Sequence, residues 1–280
     1  MTRATPSPAP AMLTLLGEQV PADSRQARQL ERRQRMTELV MAEGTMRIED
    51  LTERFGVSLM TAHRDLDDLI ARGLLRKSRG LVTAAPSGLA EASDVYRASQ
   101  KTAEKAAIAR EAAKLIEPGQ AIFMDDSTTA LQMVPYLGEL APLTVITNGL
   151  TLMGALRGQR DLTLIGLGGQ LHNWCNAFLG RMTTGEVARL RADTVFLSMS
   201  AIDGDVVLHQ FAEVVDVKRA MFDAAARRVL LTDHSKFGRR ALHAMARIDE
   251  FDVVITDQGT PIEIREAITA QGVEVIVAPL

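Results

Sequence analysis

The chain has 280 residues, 46% of them hydrophobic and 24% charged, a globular mixture with room for two domains. That composition excludes a chain disordered throughout, a collagen-like chain and a coiled-coil rod. The net charge of −3 is unevenly placed: residues 25–80 carry +3, residues 81–280 carry −5 and residues 1–24 carry −1. A basic front on an acidic body points to a polyanionic partner for the front.

The single cysteine, Cys175, excludes an intrachain disulfide framework and a multi-cysteine metal site, and reads as a small buried apolar residue. The longest charge-free run, 162–180, is interrupted by His172, Asn173, Asn176 and glycines, so it is not a membrane span. The apolar patch 12–16 is too short for a secretory segment, and a cytoplasmic protein is expected.

Residues 1–24, with four prolines, are expected to form a disordered tail. Residues 25–83 carry helical patterns followed by a hairpin-like end. A basic helix is expected over 25–41, packed through Leu30, Met36, Leu39 and Val40. A second helix, from about Glu49 to Phe55, buries Leu51 and Phe55 at i and i+4. Gly56 follows where a helix C-terminus wants positive φ, Val57 plugs the turn, and Ser58 caps a third helix that Gly73 ends. Two helices joined by a short glycine turn form a helix-turn-helix.

At 100° per residue Leu59, Ala62, Leu66, Leu69 and Ile70 fall on the inner side of the third helix, and Met60, Thr61, Arg64, Asp67, Asp68 and Ala71 on the outer. His63 and Asp65 sit at the edges. Asp67 and Asp68 would repel phosphates, so only the N-terminal half, with Ser58, Met60, Thr61, His63 and Arg64, is expected to reach DNA. The Arg64 fork suits guanine. Residues 74–83 read as a wing whose Arg76, Lys77 and Arg79 lie beside phosphates.

Residues 84–100 read as a linker entering a helix, and 101–280 as one α/β domain. Short β-rich runs at 121–124, 143–147, 162–167, 195–199, 229–232, 253–256 and 273–278 alternate with helical stretches, which predicts a mostly parallel sheet. Asp125, Asp126, Ser127, Thr128 and Thr129 follow the first strand and precede a helix expected over 130–137. Hydroxyls and backbone N–H groups at a helix start make an anion site, leaving Asp125 and Asp126 to sugar hydroxyls. Asn148, Gly168 and Gly169 lie at other strand ends, where ligands of parallel sheets gather. Lys218 and Lys236 stand out among six lysines and twenty-six arginines as phosphate counter-charges. Asp203 and Asp233 fit either ligand hydroxyls or turn caps. The histidines lack metal-ligand spacing, and no metal, cofactor or catalytic residue is expected.

The stretch from Asp50-Leu51 through Phe55-Gly56-Val57-Ser58 and Thr61-Ala62-His63-Arg64-Asp65-Leu66 to Gly73-Leu74-Leu75-Arg76 resembles the winged-helix signature of the DeoR-type bacterial transcriptional regulators. That family usually has a second basic residue where His63 stands. The resemblance runs on through Lys105-Ala106-Ala107-Ile108-Ala109, Asp125 to Thr129, Thr147-Asn148-Gly149, Gly168-Gly169, Phe178-x-Gly180, Lys218-Arg219-x-Met221, Asp233-His234-Ser235-Lys236-Phe237-Gly238 and Ile255-Thr256-Asp257. It implies a winged helix-turn-helix followed by a sensor domain similar to ribose-5-phosphate isomerase, and adds Ser235 to the effector residues. The implied protein is a homo-oligomeric repressor of a double-stranded DNA operator, controlled by a phosphorylated sugar. A sugar-phosphate isomerase with an accessory DNA-binding domain is the alternative.

Overall fold

The computed structural model describes residues 29–280 except 30, 31, 34, 38, 41, 42, 44, 72–74 and 85–93. The expectations for the 1–24 tail, for Leu30 and for Gly73 as a helix end therefore lie outside the described residues. The chain divides into two compact units, residues 1–97 and 98–280.

In the first unit the described positions between 29 and 43 are helical. They lead to β1 (Thr45–Arg47) and the helix Ile48–Phe55. Gly56 ends that helix at φ 60°, in the left-handed conformation that only glycine adopts without strain. The next helix is Leu59–Ala71, followed by β2 (Leu75–Ser78) and β3 (Leu81–Ala84). Between these strands Arg79 and Gly80 both have positive φ, the pattern of a two-residue turn whose twist matches the hairpin. The sheet order is β1-β3-β2, antiparallel throughout. β1 has no counterpart in the sequence reading. One core of Met36, Val40, Met46, Ile48, Leu51, Ala62, Leu66, Leu69, Leu75 and Val82 holds helices and wing together.

Two side chains depart from the helical-wheel reading. Leu59, expected inside, is 50% exposed, because it opens its helix ahead of the turn that meets the core. Asp65, expected at an edge, is fully buried. It accepts from Arg32 Nε at 2.8 Å, Arg33 Nε at 2.9 Å and Gln29 Nε2 at 3.1 Å. Arg33 also meets Asp68 at 2.9 Å. Part of the basic charge of the front is thus paired inside the unit.

The second unit begins with the helices Asp94–Ser99 and Thr102–Ala113. Its strands are β4 (Ala121–Met124), β5 (Leu143–Thr147), β6 (Leu162–Gly166), β7 (Gln170–His172), β8 (Ala177–Leu179), β9 (Ala192–Leu197), β10 (Ala201–Asp203), β11 (Val206–His209), β12 (Ala225–Leu231), β13 (His243–Arg247), β14 (Val253–Asp257) and β15 (Glu274–Ala278). Seven of them form one sheet in the order β15-β14-β12-β9-β4-β5-β6, with every neighbouring pair parallel. These are the seven runs read from the sequence. Phe123, Phe196 and Phe222 are completely buried against the sheet, each worth about 1.5–3 kcal/mol relative to exposure. The smaller antiparallel pieces, β7-β8 and β10-β11-β13, decorate the sheet.

One predicted element changes. Residues 130–137 are not a continuous α-helix: a 3-10 turn, Ala130–Met133, runs into the four-residue helix Val134–Leu137. Pro135 supplies no backbone N–H to an earlier helical turn, so the regular ladder starts only there. The anion-binding argument from a helix start consequently does not apply at Thr129.

Candidate functional site

On the first unit, the recognition-type helix begins with a closed cap. Ser58 Oγ accepts from Thr61 N at 3.3 Å and lies 2.9 Å from Thr61 Oγ1. Ser58 therefore shapes the helix start. Met60, two residues on from Ser58, is 83% exposed and stands on the same stripe as the exposed Arg64 and Asp67. Arg76 and Arg79 are exposed on the wing. Lys77 turns back from the wing: its Nζ donates to His63 Nδ1 at 2.7 Å and lies 3.7 Å from Asp67 Oδ1. The anionic half of the helix is thus matched by cations of its own unit, Lys77 on Asp67 and Arg33 on Asp68. The outward face of the helix carries Met60, Thr61, His63 and Arg64, and the wing adds the exposed Arg76 and Arg79.

On the second unit, the chain passes from β4 outward through β5 and β6, then returns to add β9 on β4's other side. Strand order reverses at that point, and open parallel sheets bind ligands beyond the carboxyl ends of the strands there, here β4 and β9. Asp125 follows β4 directly and is completely buried. Its carboxylate accepts from Ser127 N at 3.0 Å, from Ser198 N at 2.8 Å and from Lys218 Nζ at 2.6 Å. Lys218, 3% exposed on the Ala212–Asp223 helix, also donates to Ser198 O at 2.9 Å and lies 3.4 Å from Asp126 Oδ1. Asp125 was expected to meet ligand hydroxyls; here three protein donors already hold it, and it positions Lys218 and the loop that follows.

That loop is lined with hydroxyls. Ser127 Oγ accepts from Ala130 N at 3.1 Å, and Thr128 Oγ1 accepts from Lys105 Nζ at 3.0 Å. Lys105 is 4% exposed on the Thr102–Ala113 helix. Sequence reasoning passed over it. The signal was present: one of six lysines, followed directly by the small and apolar run Ala106-Ala107-Ile108-Ala109. Thr129 is buried beside Thr128.

The end of β5 closes the neighbouring side. Gly149 lies so near Asp126 that a Cβ there would stand 3.2 Å from the Asp126 backbone. Asn148 Nδ2 donates to Phe178 O at 3.0 Å, while Phe178 N donates to Asn148 O at 2.9 Å. Asn148 is 1% exposed, yet among the described residues its Oδ1 has no hydrogen-bond partner. A buried acceptor without a donor costs about 1–3 kcal/mol, which a donor on a bound molecule would recover.

Asp233, two residues past β12, accepts from Ser235 N at 3.0 Å and from the Ser235 hydroxyl. Burial pushes the Asp233 carboxyl up, but the ammonium of Lys236, the Ser235 hydrogen bonds and the ammonium of Lys105 together hold it below the usual aspartate range. The loop is tethered by His234, whose Nδ1 lies 2.6 Å from Asp257 Oδ1 and whose backbone N donates to Oδ2 at 2.7 Å. Gly259 leaves room for that ring, since a Cβ there would stand 2.5 Å from Nδ1.

Two expected groups are engaged by other parts of the protein. Asp203 accepts from Arg240 Nε at 3.0 Å at the β10-β11 turn. Gly168 and Gly169 serve close packing: Thr183 Oγ1 donates to Gly168 O at 2.9 Å, and Gly169 has φ 150°. A Cβ at Gly169 would collide with Thr183 Oγ1 and lie 3.2 Å from Leu179 O. Gly169→Ala is therefore expected to cost about 1–3 kcal/mol, read as a lower unfolding temperature of the second unit.

Among the described residues no helix is long and apolar enough to cross a membrane. Residues 32–87 match the DeoR-like helix-turn-helix domain and residues 100–258 the DeoR C-terminal sensor domain. The transcriptional repressor AccR of Agrobacterium fabrum is 33% identical over 232 residues, 82% of this chain and 90% of that protein. The glycerol-3-phosphate regulon repressor of Escherichia coli is 32% identical over 243 residues, 86% of this chain and 96% of that one. Among solved structures, ribose 5-phosphate isomerase A of Methanocaldococcus jannaschii overlaps 48% of this chain and 53% of its own, at 18% identity and a TM-score of 0.35, an overlap that assigns no activity. Two matched domains in sequence, with repressors aligned over most of both chains, establish that this chain belongs to the DeoR family of transcriptional regulators.

Proposed function

We propose that this protein represses transcription by binding operator DNA as a homo-oligomer, and that a phosphorylated sugar or related metabolite in the sensor cleft releases it. The observation that carries the effector half is the cluster of buried polar groups at the strand-order reversal. Two buried lysines, Lys105 and Lys218, flank a hydroxyl loop, with the buried Asn148 Oδ1 lacking a donor. Lysine ammoniums and the Ser127, Thr128 and Thr129 hydroxyls suit phosphate oxygens, while Asn148 Oδ1 and Asp126 suit sugar hydroxyls. Lys236 and Ser235 stand at Asp233, whose carboxylate the Lys105 ammonium also reaches by its charge. The glycerol-3-phosphate regulon repressor among the relatives supports a phosphorylated ligand.

On the DNA side, Thr61 and Arg64 read base edges, Met60 and His63 line the same stripe, and Arg76 and Arg79 meet phosphates. Release requires that the effector bind more tightly to the sensor state that spaces the paired helices badly for two half-sites. The test is an anisotropy titration of the full chain on its own upstream DNA at two salt concentrations, with and without a panel of sugar phosphates. Salt-dependent specific binding relieved by one phosphate is the expected result. Indifference to DNA sequence would remove the repressor, and specific binding untouched by every phosphate would remove the effector. Arg64→Ala is expected to lose about 10–100-fold on the specific duplex and little on a random one.

A further inference from the structure

The contact between Lys77 and His63 joins the wing to the helix by a donor of known chemistry. An ammonium has donors only. The His63 Nδ1 that it meets at 2.7 Å must therefore accept, which places the ring N–H on Nε2. A free imidazole exchanges between two tautomers and so offers either a donor or an acceptor at Nε2; this one offers a donor. Asp67 lies one helical turn beyond His63 and 3.7 Å from the same Nζ, so the lysine is held between two groups of one helix face. Met60 and Arg64 share that face, and both are exposed.

We propose that Lys77 is a positioning residue which fixes His63 as an Nε2–H donor, and that His63 reads a base edge with that proton. The inference rests on the reading that the Leu59–Ala71 helix enters the major groove. A donor suits guanine N7 or O6, adenine N7 and thymine O4; it rejects the edge of cytosine, which offers only an amino donor there. His63 therefore excludes cytosine at one position in each half-site, and Lys77 sets that exclusion without touching DNA.

The test is selection of duplexes from a random library by the full chain, followed by affinity measurement on the selected and on a random duplex. Wild type is expected to exclude cytosine at one position. Lys77→Met and His63→Ala are expected to admit every base at that same position, each with about tenfold loss on the selected duplex. The combined variant should bind no worse than His63→Ala, and Lys77→Arg should restore the exclusion. If Lys77→Met keeps the wild-type preference at every position, while selected and random duplexes weaken equally and the salt slope falls by about one, Lys77 is a phosphate contact and the proposal is overturned. If wild type enriches no sequence, the groove-binding reading fails and takes the proposal with it.

Discussion

Replacing Asp65 with alanine is expected to cost the N-terminal unit about 2–4 kcal/mol and to abolish DNA binding at ordinary temperatures. The carboxylate is fully buried, and Arg32 Nη2 lies 2.6 Å from it and Arg33 Nε 2.9 Å. Removing one partner of a buried ion pair costs about 3–5 kcal/mol because the other charges stay desolvated. The two arginines keep some water, which lowers the figure. A winged unit this small has only a few kcal/mol to lose. A thermal scan of the full chain should show the first unit melting early while the sensor unit melts where it did. The pH dependence has a definite sign. Burial pushes the Asp65 carboxyl up, but hydrogen bonds from Gln29, Arg32 and Arg33 and the Arg32 charge outweigh it, so its pKa lies below the ordinary 3.8. The stabilisation is complete above that ordinary value and disappears as pH falls through the lower folded one. Asp65→Asn should flatten this acid limb. An unchanged melt in Asp65→Ala would show that the arginines grip nothing essential.

Asp65 also illustrates what the sequence conceals. An aspartate at the edge of a helical wheel reads as solvated, and only the approach of Arg32 and Arg33 from a distant helix makes its burial tolerable. The seven strands of the main sheet are legible because parallel strands are buried on both faces and read as unbroken apolar runs, such as Ala121–Met124 and Val253–Asp257. β1, β7 and β10 are three residues long, too short for an alternation to register. The turn from Phe55 to Ser58 is legible because glycine at a helix end and serine at a helix start each have a local cause. In the cleft, hydroxyl residues and lysines announce an anion. The division of labour between Asp125, which is held by protein donors, and Asn148, whose Oδ1 is not, depends on which strand ends the topology brings together.

That division of labour governs the response to cutting the centre of the cleft. Lys218→Met leaves Asp125 wholly buried with two backbone donors and no counter-charge, and leaves Asp126 beside it. The expected cost to the sensor unit is about 3–5 kcal/mol, together with loss of any response to a sugar phosphate. Asp125→Asn alone should also destabilise, since it takes from the buried ammonium the carboxylate it meets at 2.6 Å. The double variant Asp125→Asn with Lys218→Met removes both charges together and keeps the volume. It is expected to be more stable than Lys218→Met alone, with a coupling of about 1–3 kcal/mol between the two sites, measured by denaturant unfolding of the four chains. The ligand response separates the roles further. If Lys218 only neutralised Asp125, the double variant would recover the effector response along with its fold. If Lys218 also meets the ligand's phosphate, stability returns and the response does not. The second outcome is expected, because with Lys105 it is one of two ammoniums buried around the hydroxyl loop, and a phosphate there needs more than one.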